Sequence, residues 1–161
     1  MQPRSATEEA GDLSSVRILI AEARFYEDIA DALLAGATRA LEKAGAVFDR
    51  VSVPGSLEIV PAIAMALDAA ENTQRPYEGV VALGCVIRGE TLHFDIVAQQ
   101  SARALLDLSV VRRLPMSNGI LTVENEAQAR VRADPRQADK GGEAARTTLS
   151  LIRLKRGLAS R

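Results

Sequence analysis

"GVVALG", residues 79–84, is an unbroken apolar run with β-branched Val80 and Val81 near its start. A strand with apolar side chains on both alternating faces needs cover on both, which is the situation of a central strand in a parallel sheet. Upstream, "VRILIAEA" (16–23) is a second aliphatic run of strand length, and "AVFDRVSV" (46–53) carries Val47, Phe48, Val51 and Val53 as a third. Downstream, "NGILTV" (118–123) is the fourth.

The segments between these runs have helical spacing. In "EDIADALLAGATRALEKAG" (27–45), Ile29, Leu33, Ala37, Ala40, Leu41 and Ala44 recur at three- and four-residue steps, and Gly45 suits the stop. "PGSLEIVPAIAMALDAAEN" (54–72) reads as a turn entering an alanine-rich helix, with Ser56 as a candidate cap and Pro61 near the first turn. "FDIVAQQSARALLDLSVV" (94–111) is a long helix, Glu126–Val131 a short one, and "GEAARTTLSLIRLKRG" (142–157) a closing one with Ala145, Leu149 and Ile152 on one stripe. Strands alternating with helices imply right-handed crossovers. The expected class is α/β: a three-layer sandwich, flavodoxin-like, with a four-stranded parallel sheet and helices on both faces.

The bulk numbers narrow the partners. Within 161 residues there is room for one domain, assigned to 15–161, after a tail at 1–14 that lacks hydrophobic periodicity and is expected to be mobile. A formal net charge of −1 argues against duplex nucleic acid or an anionic membrane as partner. No apolar run approaches the roughly 20 residues of a membrane helix, and the polar start lacks a secretory signal. Cys85 is the single cysteine, so no intramolecular disulfide and no cysteine-based zinc site can form. These features predict a cytoplasmic protein.

In parallel sheets ligands bind outside the carboxyl ends of the strands. That rule selects four segments. After the first strand, Phe25 either stacks on a flat ring or covers the following helix as a staple. After the second, Ser56 and Glu58 either bind a polyol or are ordinary helix-start residues, and local grammar favours the latter. After the third, "CVIRGETLHFD" (85–95) leads into the long helix. Gly89 and Thr91 there make either an anion seat or a plain glycine turn with a threonine cap, and Glu90 would repel an anion unless turned away. His93 is the only histidine in the chain. An imidazole's ordinary pKa of about 6.5 suits proton transfer, so it is either a catalytic base or a structurally held core histidine. A lone histidine does not build a metal site. After the fourth, Arg130, Arg132, Arg136 and Lys140 are either phosphate-holding cations or a solvated charged loop.

Taken together, "ARF" (23–25), "PGSLEI" (54–59), "GCVIRGETLHFD" (84–95), "NGILTVEN" (118–125) and "KGGEAA" (140–145) resemble the motifs of the 6,7-dimethyl-8-ribityllumazine synthase family, in the same order and from Val16 to about Gly157. The resemblance implies condensation of 5-amino-6-(D-ribitylamino)uracil with 3,4-dihydroxy-2-butanone 4-phosphate, the penultimate step of riboflavin biosynthesis, with no cofactor and no metal. It implies Phe25 stacked on the pyrimidinedione, Ser56, Leu57 and Glu58 along the ribityl chain, and Cys85, Val86 and Ile87 offering backbone contacts to the ring. Glu90 (through its backbone N–H) and Thr91 would meet the butanone phosphate, His93 would transfer protons, and Arg132 and Lys140 would hold the phosphate.

The resemblance further implies a homopentamer with sites between adjacent subunits, to which Asn118, Arg132 and Lys140 reach across. Decamers and sixty-subunit capsids also occur in the family. "RADPRQADK" (132–140), without a glycine before Gly141, leans towards the pentamer. There are two departures: Asn118 stands where family members often carry an aromatic, and "EIVP" replaces the frequent "EIP". A phosphoacceptor regulator of the same fold class would need an aspartate at the third strand's end, where this chain has "ALGC".

Overall fold

The structure, a computed structural model, describes residues 13–161. Strands β1 (Arg17–Ala23), β2 (Val47–Val53), β3 (Gly79–Ile87) and β4 (Met116–Val123) alternate with helices α1 (Glu27–Lys43), α2 (Ile59–Asn72), α3 (His93–Arg112), α4 (Glu126–Ala133) and α5 (Lys140–Ala159). The sheet has the order β2-β1-β3-β4 with every pairing parallel, so the flavodoxin-like α/β sandwich expected from the sequence is what forms.

Its two faces build two cores from alternate residues of the same strands. Ile18 and Ile20 of β1 with Val81 and Leu83 of β3 meet Leu33 and Leu41 of α1, Ala129 of α4 and Leu149 of α5. Leu19 and Ala21 with Val80 and Ala82 meet Ile59 and Ile63 of α2 and Leu105 of α3. That double cover is why β3 reads as continuously apolar. It runs three residues past "GVVALG", to Ile87, because β4 continues to pair with it as far as Val123. β4 likewise starts two residues earlier than its apolar run, at Met116, whose backbone register partner is Val80. β2 and β4 are the sheet edges. Consistent with an edge, Val47 of β2 is half exposed.

The tail expected at 1–14 lies outside the described residues except for Leu13 and Ser14, and Leu13 is fully buried in the core beneath α1. Gly45 ends α1 at φ +77, a conformation that needs glycine. The Gly141–Gly142 pair has a different reason. A Cβ on Gly141 would lie 2.1 Å from the Leu33 carbonyl oxygen, so Gly141 lets the first turn of α5 press against α1, whereas a Cβ on Gly142 would run into the Asp139 carboxylate that caps the helix.

The start of α2 differs from the capping expectation. Ser56–Glu58 form a 3₁₀ turn and the α-helix begins at Ile59, so Ser56 makes no side-chain cap; it is buried, with its hydroxyl packed over Gly84. Pro61 falls in the helix's first turn, where its missing N–H costs nothing. Glu22, buried in β1, is the polar exception among that strand's core residues. Arg24 lies 2.5 Å from it and also reaches Glu27 and Asp31, which makes the buried charge tolerable.

Candidate active site

The carboxyl ends of β1, β2 and β3 open into a cleft of about 320 Å³. The β1 end supplies Phe25 and Tyr26, the turn after β2 supplies Gly55, Ser56, Leu57 and Glu58, and β3 supplies Cys85, Val86 and Ile87. Gly89, Thr91, His93 and Phe94, on the loop into α3 and its first turn, complete most of the wall. Three strand ends predicted to carry ligand contacts therefore converge on one place.

Phe25 and its neighbour Tyr26 are placed differently. Tyr26 is the residue that caps α1 and packs against the core, whereas Phe25 is 73% exposed and stands edge-on to Tyr26, centroids 4.9 Å apart. An aromatic this exposed at the mouth of a cleft has surface available to stack on a planar ring. Tyr26 was not singled out from sequence as a core residue; its place three residues before Ile29, in step with the buried stripe of α1, was the available signal. Burial raises its phenol's pKa, so it stays neutral.

Cys85 is half-buried on β3, and burial pushes its thiol up to about 11. It remains protonated at neutral pH and contributes wall, not nucleophile. His93 is the first residue of α3 and is exposed to the cleft; its backbone N–H donates to the Thr91 hydroxyl at 3.3 Å. Thr91 is not the helix cap, a place taken by Leu92. Glu90 is exposed and does not line the cleft, although Gly89 and Thr91 on either side of it do. A Cβ on Gly89 would meet nothing within 4 Å, so the backbone there is open to close approach.

The remaining predicted residues lie elsewhere. Asn118, Arg132 and Lys140 line a second cleft of about 320 Å³ on the outer side of edge strand β4, with Thr122 of β4 and Glu143 and Thr147 of α5. Asn118 is exposed and its side-chain oxygen accepts from the Ile120 N–H at 3.0 Å. Arg132, on the last turn of α4, donates to the Gln128 carbonyl at 3.1 Å, and Lys140 pairs with Glu143 at 2.9 Å. Arg130 instead pairs with Glu126 at 2.5 Å, and neither it nor Arg136 lines this cleft. Of the four candidate cations, the fold thus brings two together. Glu143 and Thr147 were not singled out from sequence, yet they follow Lys140 at helical steps of three and seven.

The two clefts are chemically complementary. The first is lined by aromatic, hydroxyl, carboxylate and imidazole groups, with no lysine or arginine; the second has a guanidinium and an ammonium, with no aromatic. Among the described residues no group of three or more histidine, cysteine, aspartate or glutamate side chains is placed to hold a metal. No helix among them is long and apolar enough to cross a membrane.

Residues 15–156 match the family described as 6,7-dimethyl-8-ribityllumazine synthase. A Nitrobacter hamburgensis protein bearing that name is 56% identical over 156 residues, spanning 97% of this chain and 96% of its own. An Agrobacterium fabrum protein of the same name is 60% identical over 146 residues, 91% of this chain and 99% of its own. One from Rhizobium meliloti, 6,7-dimethyl-8-ribityllumazine synthase 1, is 60% identical over 148 residues, 92% and 97% respectively.

Proposed function

We propose that the chain, which belongs to the 6,7-dimethyl-8-ribityllumazine synthase family, condenses 5-amino-6-(D-ribitylamino)uracil with 3,4-dihydroxy-2-butanone 4-phosphate at sites assembled from two neighbouring copies. The observation that carries this reading is the division of labour between the clefts. One can stack and deprotonate but has no cation for a phosphate, and the other has the cations but nothing for a ring to lie on. Bringing the first cleft of one copy against the β4 edge of the next completes both. Leu92, Val110, Val111 and Met65 are large apolar side chains at least two-thirds exposed, which favours burial against further copies. A homopentamer is the assembly we infer.

In this site the pyrimidinedione lies against the Phe25 ring, with the backbone of Cys85, Val86 and Ile87 at its edge. The ribityl chain runs along Ser56, Leu57 and Glu58. The phosphate of the second substrate sits by the backbone of Gly89 and Glu90 and the Thr91 hydroxyl, and takes its charge partners, Arg132 and Lys140, from the adjacent copy, as it does Asn118 at the ring. The Glu90 carboxylate faces solvent, which removes its conflict with the anion.

The 5-amino group attacks the ketone, and loss of water gives an imine. Removal of a proton then expels inorganic phosphate. Loss of phosphate leaves an enol at the carbon that bore the 3-hydroxyl; it tautomerises to a methyl ketone, on which the ribitylamino nitrogen closes with loss of a second water. His93 accepts and returns the protons that these steps move. Most of the remaining acceleration is the holding of two substrates in register. The product is the substrate for the last step of riboflavin formation, so this is the penultimate one.

Incubating the purified chain with both substrates tests the reading. The expected result is 6,7-dimethyl-8-ribityllumazine and inorganic phosphate in equal amounts, by absorbance and phosphate assay. A folded, oligomeric protein that binds the pyrimidine and yields neither would overturn it.

A further inference from the structure

We propose that Arg88 is a positioning residue for this reaction: it clamps the ends of β3 and β4 to the first turn of α3 and so fixes Thr91 and His93 over the first cleft. The inference rests on the reading of that cleft given above. Arg88 does not itself line the cleft, so it acts through other residues.

Four contacts converge on it. Its backbone N–H donates to the Val123 carbonyl at 2.9 Å, carrying the β3–β4 ladder one residue beyond the strand. Its guanidinium lies 2.9 Å from the Glu124 carboxylate and 3.6 Å from that of Asp95. The same group sits 4.4 Å from the centre of the Phe94 ring, a cation–π contact. Glu124 is itself anchored, since its backbone N–H donates to the Gln128 side chain of α4 at 2.8 Å. Phe94 and Asp95 directly follow His93, so the clamp grips the helix turn that carries the imidazole.

The intervening loop has little else to hold it. Residues 89–92 are exposed, and a side chain on Gly89 would touch nothing within 4 Å. Only a planar fork spans two carboxylates while stacking on a ring; an ammonium reaches one partner at a time. Both ion pairs are solvent-accessible, so they add little to global stability. The role is local.

Arg88→Ala is expected to lower kcat about tenfold with the KM for the pyrimidine nearly unchanged, since misplacement of a proton carrier costs rate more than binding. Arg88→Lys should recover only part of it. Hydrogen exchange supplies a readout that needs no turnover: amides 89–93 should exchange about tenfold faster in Arg88→Ala while the cores of β1 and β3 are unchanged. Glu124→Gln, which leaves Arg88 in place, should reproduce the exchange effect. Unchanged exchange at 89–93 in both variants overturns the clamp whether or not the wild-type chain turns over. A fall in kcat accompanied by faster exchange throughout the domain overturns the positioning role in favour of a structural one. Absence of wild-type turnover alone strikes the proposed reaction and leaves the exchange test standing.

Discussion

Arg132→Ala is expected to raise the KM for 3,4-dihydroxy-2-butanone 4-phosphate about 30-fold, with the KM for the pyrimidine moving less than about threefold. A hydrogen bond between charged groups contributes about 1.5–3 kcal/mol, and each 1.4 kcal/mol is a factor of ten in affinity. The guanidinium projects from the last turn of α4, steadied by the Gln128 carbonyl of its own helix. Lys140 is already paired with Glu143 and must share its charge with that carboxylate on binding a phosphate. In the proposed site, Arg132 is therefore expected to carry the larger part of the anion's recognition. Steady-state kinetics with each substrate varied in turn reads the two constants. Equal shifts in both would remove Arg132 from the phosphate.

The second large effect belongs to His93. His93→Gln keeps a side chain of similar reach and hydrogen-bonding capacity but cannot take up and return a proton. A fall in kcat of about 100-fold is expected, at the lower end of what general acid–base groups contribute, because two-substrate positioning survives the change. Both KM values should stay within a few-fold. A rate equal to that of the wild-type chain would take His93 out of the mechanism.

The sheet was legible because burial on two faces leaves a one-line signature. "GVVALG" has it, and β3 lies in the middle of the sheet. The ends of strands were less legible. Ile87 and Met116 belong to the sheet through backbone pairing between β3 and β4, which side-chain patterns do not encode. Ser56 shows the limit of local grammar: serine before a helix reads as a cap, yet here a 3₁₀ turn intervenes and the hydroxyl packs over Gly84. Neither residue announces that turn.

For the site, the rule that ligands lie beyond strand ends pointed to the segments carrying Phe25, Ser56 and His93, which the fold brings to one cleft, while leaving their roles open. It could not find Asn118, which lies within β4 on the sheet's exposed edge, nor separate Arg132 and Lys140 from Arg130 and Arg136. Those assignments came from the family motifs. The existence of two clefts with complementary chemistry was invisible in one dimension, because it depends on which side of the sheet edge α4 and α5 present their cations. Arg88 escaped for a related reason. Its partners Glu124 and Asp95 are brought to it by the β3–β4 pairing and by the helix start.

The central claim is that each site takes His93 from one copy and Arg132 from its neighbour. Co-expressing His93→Gln and Arg132→Ala chains in equal amounts tests it, with both variants purified alone for comparison. In a ring of mixed chains about one contact in four pairs an intact first cleft with an intact second cleft. Activity at subsaturating butanone phosphate should therefore recover to about a quarter of wild type, far above either variant alone. Activity no greater than the mean of the two separate variants, in an assembly shown by native mass spectrometry to contain both chains, would contradict the account.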